Sequence, residues 1–141
     1  MSTERHDLLA SLLPIAKALR RIEDAAAARF DITMWQYAIL SIATAVPGMS
    51  QSEAADMMGY SRNRIIADLD ELEKRELLVR VAGADRRVNT LRATESGMAT
   101  MREIRAEIHR QEDALLSGLS PTARRDFHQI ARRLGEQLRR G

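Results

Sequence analysis

Apolar residues recur by threes and fours along most of this chain, and clear punctuation divides the pattern into helices. Leu8, Leu12, Ile15, Leu19, Ile22 and Ala26 form one stripe within a helix expected from Glu4 to Arg29. Pro14 falls inside it and lacks the N–H that would bond the carbonyl of Ala10, which predicts a kink. The stripe is broad for a lone surface helix, so it is expected to meet its own domain and a partner chain. Thr33-Met34-Trp35-Gln36 has the spacing of a capping box and opens a helix to about Ala43, burying Ile39, Leu40 and Ala43. Pro47-Gly48 ends that element. Ser50-Gln51-Ser52-Glu53 is a second capping box and starts a short helix to Met58. Gly59 supplies a turn, and Ser61 caps a further helix expected to bury Ile65, Ile66, Leu69 and Leu72.

The period then changes. Leu77 to Val81 reads as a strand, Gly83-Ala84-Asp85-Arg86-Arg87 as a turn, and Val88 to Ala93 as the returning strand. Thr94 caps a long helix with Met98, Met101, Ile104, Ile108 and Leu115 along one seam. Ser120-Pro121 is a cap followed by proline at the first helical position, and starts a last helix carrying Phe127, Ile130, Leu134 and Leu138. These terminal seams resemble those of helix bundles. No internal repeat, low-complexity segment or long linker interrupts the series. The fold class expected is mainly α, a winged helix-turn-helix with a short β-hairpin wing and N- and C-terminal dimerisation helices.

Composition narrows the function. At 141 residues and 45% hydrophobic, the chain suits one domain, or a small core with dimerising arms. Aromatics are few, which argues against base-stacking RNA platforms. With no cysteine, disulfides, thiolate zinc sites and cysteine-based redox sensing are excluded. No apolar run approaches a membrane span and no signal-peptide core is seen, so a cytoplasmic location is expected. The three histidines, His6, His109 and His128, are scattered without carboxylate companions; neither a metal nor a cofactor is expected. There is also no nucleophile–base constellation and no phosphate-binding glycine loop, so an enzyme is not expected.

Net charge is only +2, so attraction for phosphate must come from local clusters. Placing residues 100° apart around the helix after Ser61 puts Ile65, Leu69 and Leu72 on the buried side. Asn63, Ala67, Asp70 and Lys74 then face outward, with Arg64 on the flank and Arg62 leaning toward the core. Asn63 and Arg64 are the candidates for base edges, since asparagine bonds adenine and arginine bonds guanine bidentately. Ser61 and Arg62 suit the DNA backbone, as do Ser50 and Gln51 at the start of the helix-turn-helix. The same helix is charged against its own dipole, with arginines first and Asp68, Asp70, Glu71, Glu73 and Glu76 later. Recognition helices present their N-terminal residues to bases, which accounts for that order. Pairs of Asp70 with Lys74 and Glu71 with Arg75 are the arrangement expected of an ordinary solvated helix. Arg80, Arg86, Arg87 and Arg92 make the hairpin strongly positive against Asp85 alone.

Asp85-x-Arg87-x-x-x-Leu91-x-Ala93-Thr94-x-x-Gly97 closely resembles the wing signature of the MarR family of bacterial transcription regulators. Arg75 to Val81 and Trp35 to Leu40 are similar to that family too, and the resemblance covers nearly the whole chain. It departs at Ala93, usually leucine, and at Glu76, glycine in many members. The resemblance implies a single MarR-like domain over 1–141, with a DNA-binding lobe at 33–94 and dimerisation helices at 3–30 and 95–140. It implies an obligate homodimer on double-stranded DNA, with Arg87 entering the minor groove, Asp85 bracing it and Arg86 beside them. The resemblance also implies a small-molecule effector, such as an aromatic acid. Trp35 and Tyr37 with Arg20 or Arg21 are the candidates for its pocket. The function expected is a sequence-specific repressor of a pseudo-palindromic operator, released by such a ligand. The alternative is a winged-helix module that binds protein rather than DNA. The basic last helix (Arg124, Arg125, Arg132, Arg133, Arg139 and Arg140) reads as a solvated face.

Overall fold

The computed structural model describes residues 5–141, and its elements follow the expected order. Helices α1 (Leu8–Ala28), α2 (Met34–Ala45), α3 (Gln51–Met58) and α4 (Arg62–Lys74) precede strands β1 (Leu78–Ala82) and β2 (Asn89–Ala93). Helices α5 (Glu95–Leu115) and α6 (Pro121–Arg140) complete the chain. This is a mainly α, winged helix-turn-helix fold. Of the dimerisation segment expected over 3–30, residues 3 and 4 lie outside the described residues, and the helix expected from Glu4 begins at Leu8. Pro14 sits inside α1, which continues past it. Among the described residues no helix is long and apolar enough to cross a membrane.

Local chemistry sets the helix ends. Thr33 Oγ1 accepts from the Gln36 N–H at 3.0 Å while Gln36 Oε1 accepts from the Thr33 N–H at 3.0 Å. The same reciprocal pair joins Ser50 and Glu53. Each box satisfies orphan donors that a helix start otherwise leaves to water. Between α3 and α4, Gly59 adopts φ 62°, the left-handed conformation that a glycine accepts without steric cost. Ala54 and Ala55 are fully buried beside this turn, and their small size allows α3 and α4 to pack closely.

The core gathers Ile39 and Leu40 of α2, Ile65, Leu69 and Leu72 of α4, Leu78 and Leu91 of the hairpin, and Met101 and Ile104 of α5. Ile66, expected in that set, is instead 40% exposed. It is turned 100° from Ile65 and falls off the narrow stripe that α4 presents to the core. The hairpin pairs Leu78 with Ala93 and Ala82 with Asn89, antiparallel. Leu77 and Val88, expected as strand residues, belong to the flanking turns. The segment before α3 adds a third rung: the Gly48 N–H donates to Leu91 O, and the Leu91 N–H to Met49 O. That rung fastens the start of α3 to the wing.

The wing signature has a structural cause at its far end. Thr94 Oγ1 donates to the Glu76 carbonyl at 2.7 Å and accepts from the Gly97 N–H at 2.9 Å. The Thr94 N–H bonds to Leu77 O. Threonine therefore joins the end of α4, the base of the wing and the start of α5 at one point. A side chain at Gly97 would occupy the space of the Leu77 carbonyl, so only glycine lets α5 approach this closely. In contrast, α6 has no buried residue, and its Ile130, Leu134 and Leu138 are exposed, as are Leu8, Leu9, Leu12 and Leu13 of α1.

Candidate nucleic-acid interface

The first turn of α4 presents Ser61, Arg62, Asn63 and Arg64 to solvent, all four exposed. Arg62, expected to lean toward the core, is exposed with the others, since it lies in the first turn ahead of Ile65, the first buried residue of α4. Ser61 Oγ accepts from the Arg64 N–H at 3.2 Å, so the cap holds the backbone while the arginine and asparagine side chains stay outside. Arg64 places its guanidinium carbon 5.6 Å from the centre of the Tyr60 ring. Among the described residues none of Arg62, Arg64 and Arg86 forms an ion pair.

At the wing tip, the Gly83 N–H donates to Val88 O and the Val88 N–H to Asp85 O, closing the loop. Asp85 Oδ1 accepts from the Arg87 backbone N–H at 3.0 Å and from Arg87 Nε at 3.4 Å. The Arg87 side chain is 91% exposed, so the aspartate restrains its base while the guanidinium end projects into solvent. Arg86 beside it is exposed.

Acidic residues on the later turns of α4 are drawn away from this surface. Arg80 of β1 donates to Asp70 at 2.5 Å and to Glu73 at 3.0 Å. Its hydrogen bonds hold the Glu73 carboxyl below the usual carboxylate range and, chiefly through Glu73, raise the Arg80 guanidinium pKa. Arg80 is therefore a strut between wing and helix rather than a free positive charge. The alternative pairing along α4 does not form: Arg75 instead donates to the carbonyls of Asp31 and Phe30. Asp68 is half-buried, and each of its oxygens is engaged. Its Oδ2 accepts from the Tyr60 hydroxyl at 2.6 Å and its Oδ1 from Gln36 Nε2 at 3.3 Å.

Several expected site residues stand elsewhere. Ser50 is buried with its hydroxyl committed to the cap of α3, and Gln51 Oε1 is buried as well, so both point inward rather than toward a phosphate backbone. The reason is the third wing rung, which pulls this segment onto β2. Trp35 and Tyr37 do not share a pocket with Arg20 or Arg21. Trp35 stacks on Tyr60, ring centres 4.6 Å apart, and Tyr37 is buried with its hydroxyl accepting from Arg105 Nε at 3.2 Å. Arg20 is exposed. Arg21 lines a cavity of about 280 Å³ between α1 and α5, with Ile22, Ala25, Ala26, Arg29, Glu107 and Gln111. Tyr60 is the residue the sequence reading passed over. An aromatic directly before the Ser61 cap and four residues before Arg64 was the available signal.

No family model matches the sequence. The chain is 30% identical over 107 residues to a transcriptional regulatory protein for the hcr operon of Thauera aromatica, a match covering 75% of this chain. The chain spans 64% of the length of that relative. Over the whole fold it superposes on a crystal structure of MarR with a TM-score of 0.82 and 26% identity, covering 96% of this chain and 100% of the other. The chain has the winged-helix fold of the MarR-family transcription regulators. A MarR family protein of Mycobacterium tuberculosis in complex with p-aminosalicylic acid shares the architecture at 22% identity and a TM-score of 0.78, covering 92% of this chain and 99% of that one.

Within the MarR fold, both departures from the wing signature have a visible setting. Glu76 ends α4 at φ 59°, where its N–H bonds to Glu73 O and the next N–H, of Leu77, to Leu72 O. That is the helix-ending motif in which glycine is favoured. Ala93 is half-buried and packed against the core.

Proposed function

We propose that this protein is a homodimeric, sequence-specific DNA-binding transcription regulator of the MarR family. The observation that carries the reading is the set of exposed cationic and amide side chains on two separate projections, Arg62, Asn63 and Arg64 on α4 and Arg86 and the Asp85-braced Arg87 on the wing. The α4 carboxylates Asp68, Asp70 and Glu73 are meanwhile engaged by Tyr60, Gln36 and Arg80. Asn63 and Arg64 read base edges in the major groove, Ser61 and Arg62 contact phosphate, and Arg87, braced by Asp85, enters the narrow minor groove where negative potential concentrates. Arg86 lies against the flanking backbone. Two such lobes, about one helical turn of DNA apart, match a pseudo-palindromic operator.

The dimer is built from the leucines that α1 and α6 leave exposed. Repression with release by a small aromatic acid is the regulatory mode this reading favours. In the cavity over Ile22, Ala25 and Ala26, Arg29 is paired with Glu107 at 3.1 Å, which leaves Arg21 as the cation to meet an aromatic carboxylate above an apolar floor. The p-aminosalicylic acid held by the Mycobacterium tuberculosis relative is a ligand of that chemistry.

The test is binding to DNA flanking the protein's own gene, in a salt series with competitor DNA. Tight binding to one short palindrome, falling steeply as salt rises, is expected. Arg64→Ala is expected to cost about 1–3 kcal/mol and relax the preference at one base position. Arg87→Ala should weaken binding to all sequences and reduce the salt slope by about one ion. Salt-independent behaviour, or no binding to any DNA at low salt, overturns the reading in favour of a protein-binding winged helix.

A further inference from the structure

Three groups converge behind Arg64. Tyr60 lies in the turn between α3 and α4, its ring stacked on Trp35 at 4.6 Å with the planes 15° apart. The other groups are Asp68 and Gln36. Asp68 stands four residues after Arg64, the spacing at which a helix brings an aspartate and an arginine side by side. Such a pair can close as a salt bridge, in the weaker of its two orientations when the arginine comes first, and here Arg64 forms none among the described residues. Each Asp68 oxygen already accepts one hydrogen bond, one from the Tyr60 hydroxyl and one from the Gln36 amide, which holds the carboxylate facing them. Gln36 is itself fixed, because its Oε1 completes the capping box with the Thr33 N–H.

We infer that Tyr60 is a positioning residue for Arg64: its hydroxyl, with Gln36, occupies Asp68 so that the carboxylate does not capture the arginine, and its ring supports the guanidinium for DNA. The inference rests on the DNA-reading assignment of Arg64 made above. Its physical logic is competition. A guanidinium drawn into an ion pair must break it before donating to a guanine edge, whereas one resting on an aromatic face keeps its N–H groups available. The Tyr60–Trp35 stack keeps the ring in place, so the device links the start of α2 to the first turn of α4.

The experiment compares the parent with Tyr60→Phe, Asp68→Asn and the double variant. Phenylalanine keeps the ring and its stacking but frees one Asp68 oxygen. In free protein, nitrogen-15 exchange at the Arg64 guanidinium is expected to report slowed rotation in Tyr60→Phe and parent-like rotation in the double variant, since asparagine cannot attract the arginine as an anion. On operator DNA, Tyr60→Phe is expected to lose about fivefold in affinity, the upper range for an exposed ion pair, and the double variant to recover it. A purely structural role for Tyr60 would lower the thermal midpoint without that recovery. Unchanged Arg64 rotation in Tyr60→Phe overturns the inference whether or not the protein binds DNA. If the rotation slows as expected but the parent binds no DNA, the positioning contact stands and the DNA-reading assignment falls.

Discussion

Single residues decide whether the junctions of this fold are relaxed or strained. Glu76 holds a left-handed conformation at the end of α4, which costs an L-residue about 1–2 kcal/mol. Replacing it by glycine removes that cost but adds about 0.4–1 kcal/mol of unfolded-chain entropy. The first effect wins, so Glu76→Gly is expected to stabilise the protein by about 0.5–1 kcal/mol in a denaturant titration. Gly97 is the opposite case. Alanine would improve the propensity of α5 by about 1 kcal/mol, but its Cβ has no room beside the Leu77 carbonyl. The obstacle is backbone and cannot rotate away, so Gly97→Ala is expected to lower stability by about 1–3 kcal/mol. The same titration checks both, and a stabilised Gly97→Ala would show that α5 does not pack this closely. Both positions belong to stretches whose likeness to the family was legible from spacing alone. Why glycine suits the one and is required at the other became clear only from the backbone around it.

Between elements, the strut from β1 to α4 is the contact that ties the wing to α4. Arg80 is mostly covered and bonds Asp70 and Glu73 together. Arg80→Gln is expected to cost only about 0.2–1 kcal/mol, since both carboxylates are partly exposed. Lowering the pH acts on the same contact. The folded-state pKa of Glu73 is depressed by Arg80, so the stabilisation is fully present above the ordinary glutamate range and is lost as pH falls through the folded value. Thermal melts of parent and Arg80→Gln from about pH 6 down to about pH 3 should therefore converge at the acid end. A gap that stays constant with pH would mean that Arg80 acts through packing of its stem rather than its charge.

For the whole molecule, the unpaired faces of α1 and α6 carry the largest consequence. Leu9, Ile130 and Leu138 are 70%, 63% and 69% exposed in a single protomer, more apolar side chain than a monomer usually leaves to water. Covering such a face is the drive for the proposed dimer. Ile130→Glu should weaken self-association by about 2 kcal/mol or more, as expected for a central interface residue. Analytical ultracentrifugation would show it as a shift from dimer toward monomer at micromolar concentration. A parent that sediments as a monomer throughout would remove the dimer from the proposal, and with it the pseudo-palindromic operator.

Periodicity, caps and turn residues were enough to read the six helices, the hairpin and their order. Each of those signals is local: a threonine three residues before a glutamine, a glycine after a short helix, or apolar residues every third or fourth place. The outward placement of Asn63 and Arg64 was legible for the same reason, whereas Arg62 was expected nearer the core and the Asp85–Arg87 brace came from the resemblance of the wing to the MarR signature. The inward placement of Ser50 and Gln51, the capture of Arg80 by α4, the separation of Trp35 from Arg21 and the pairing of Trp35 with Tyr60 were not legible. Those contacts join residues far apart in the chain, and which of several polar partners an arginine or tyrosine takes depends on the distances that packing creates. Asp68 shows the limit most plainly: on a helical wheel it is a misplaced charge, and in the folded chain it is the acceptor that Tyr60 and Gln36 share.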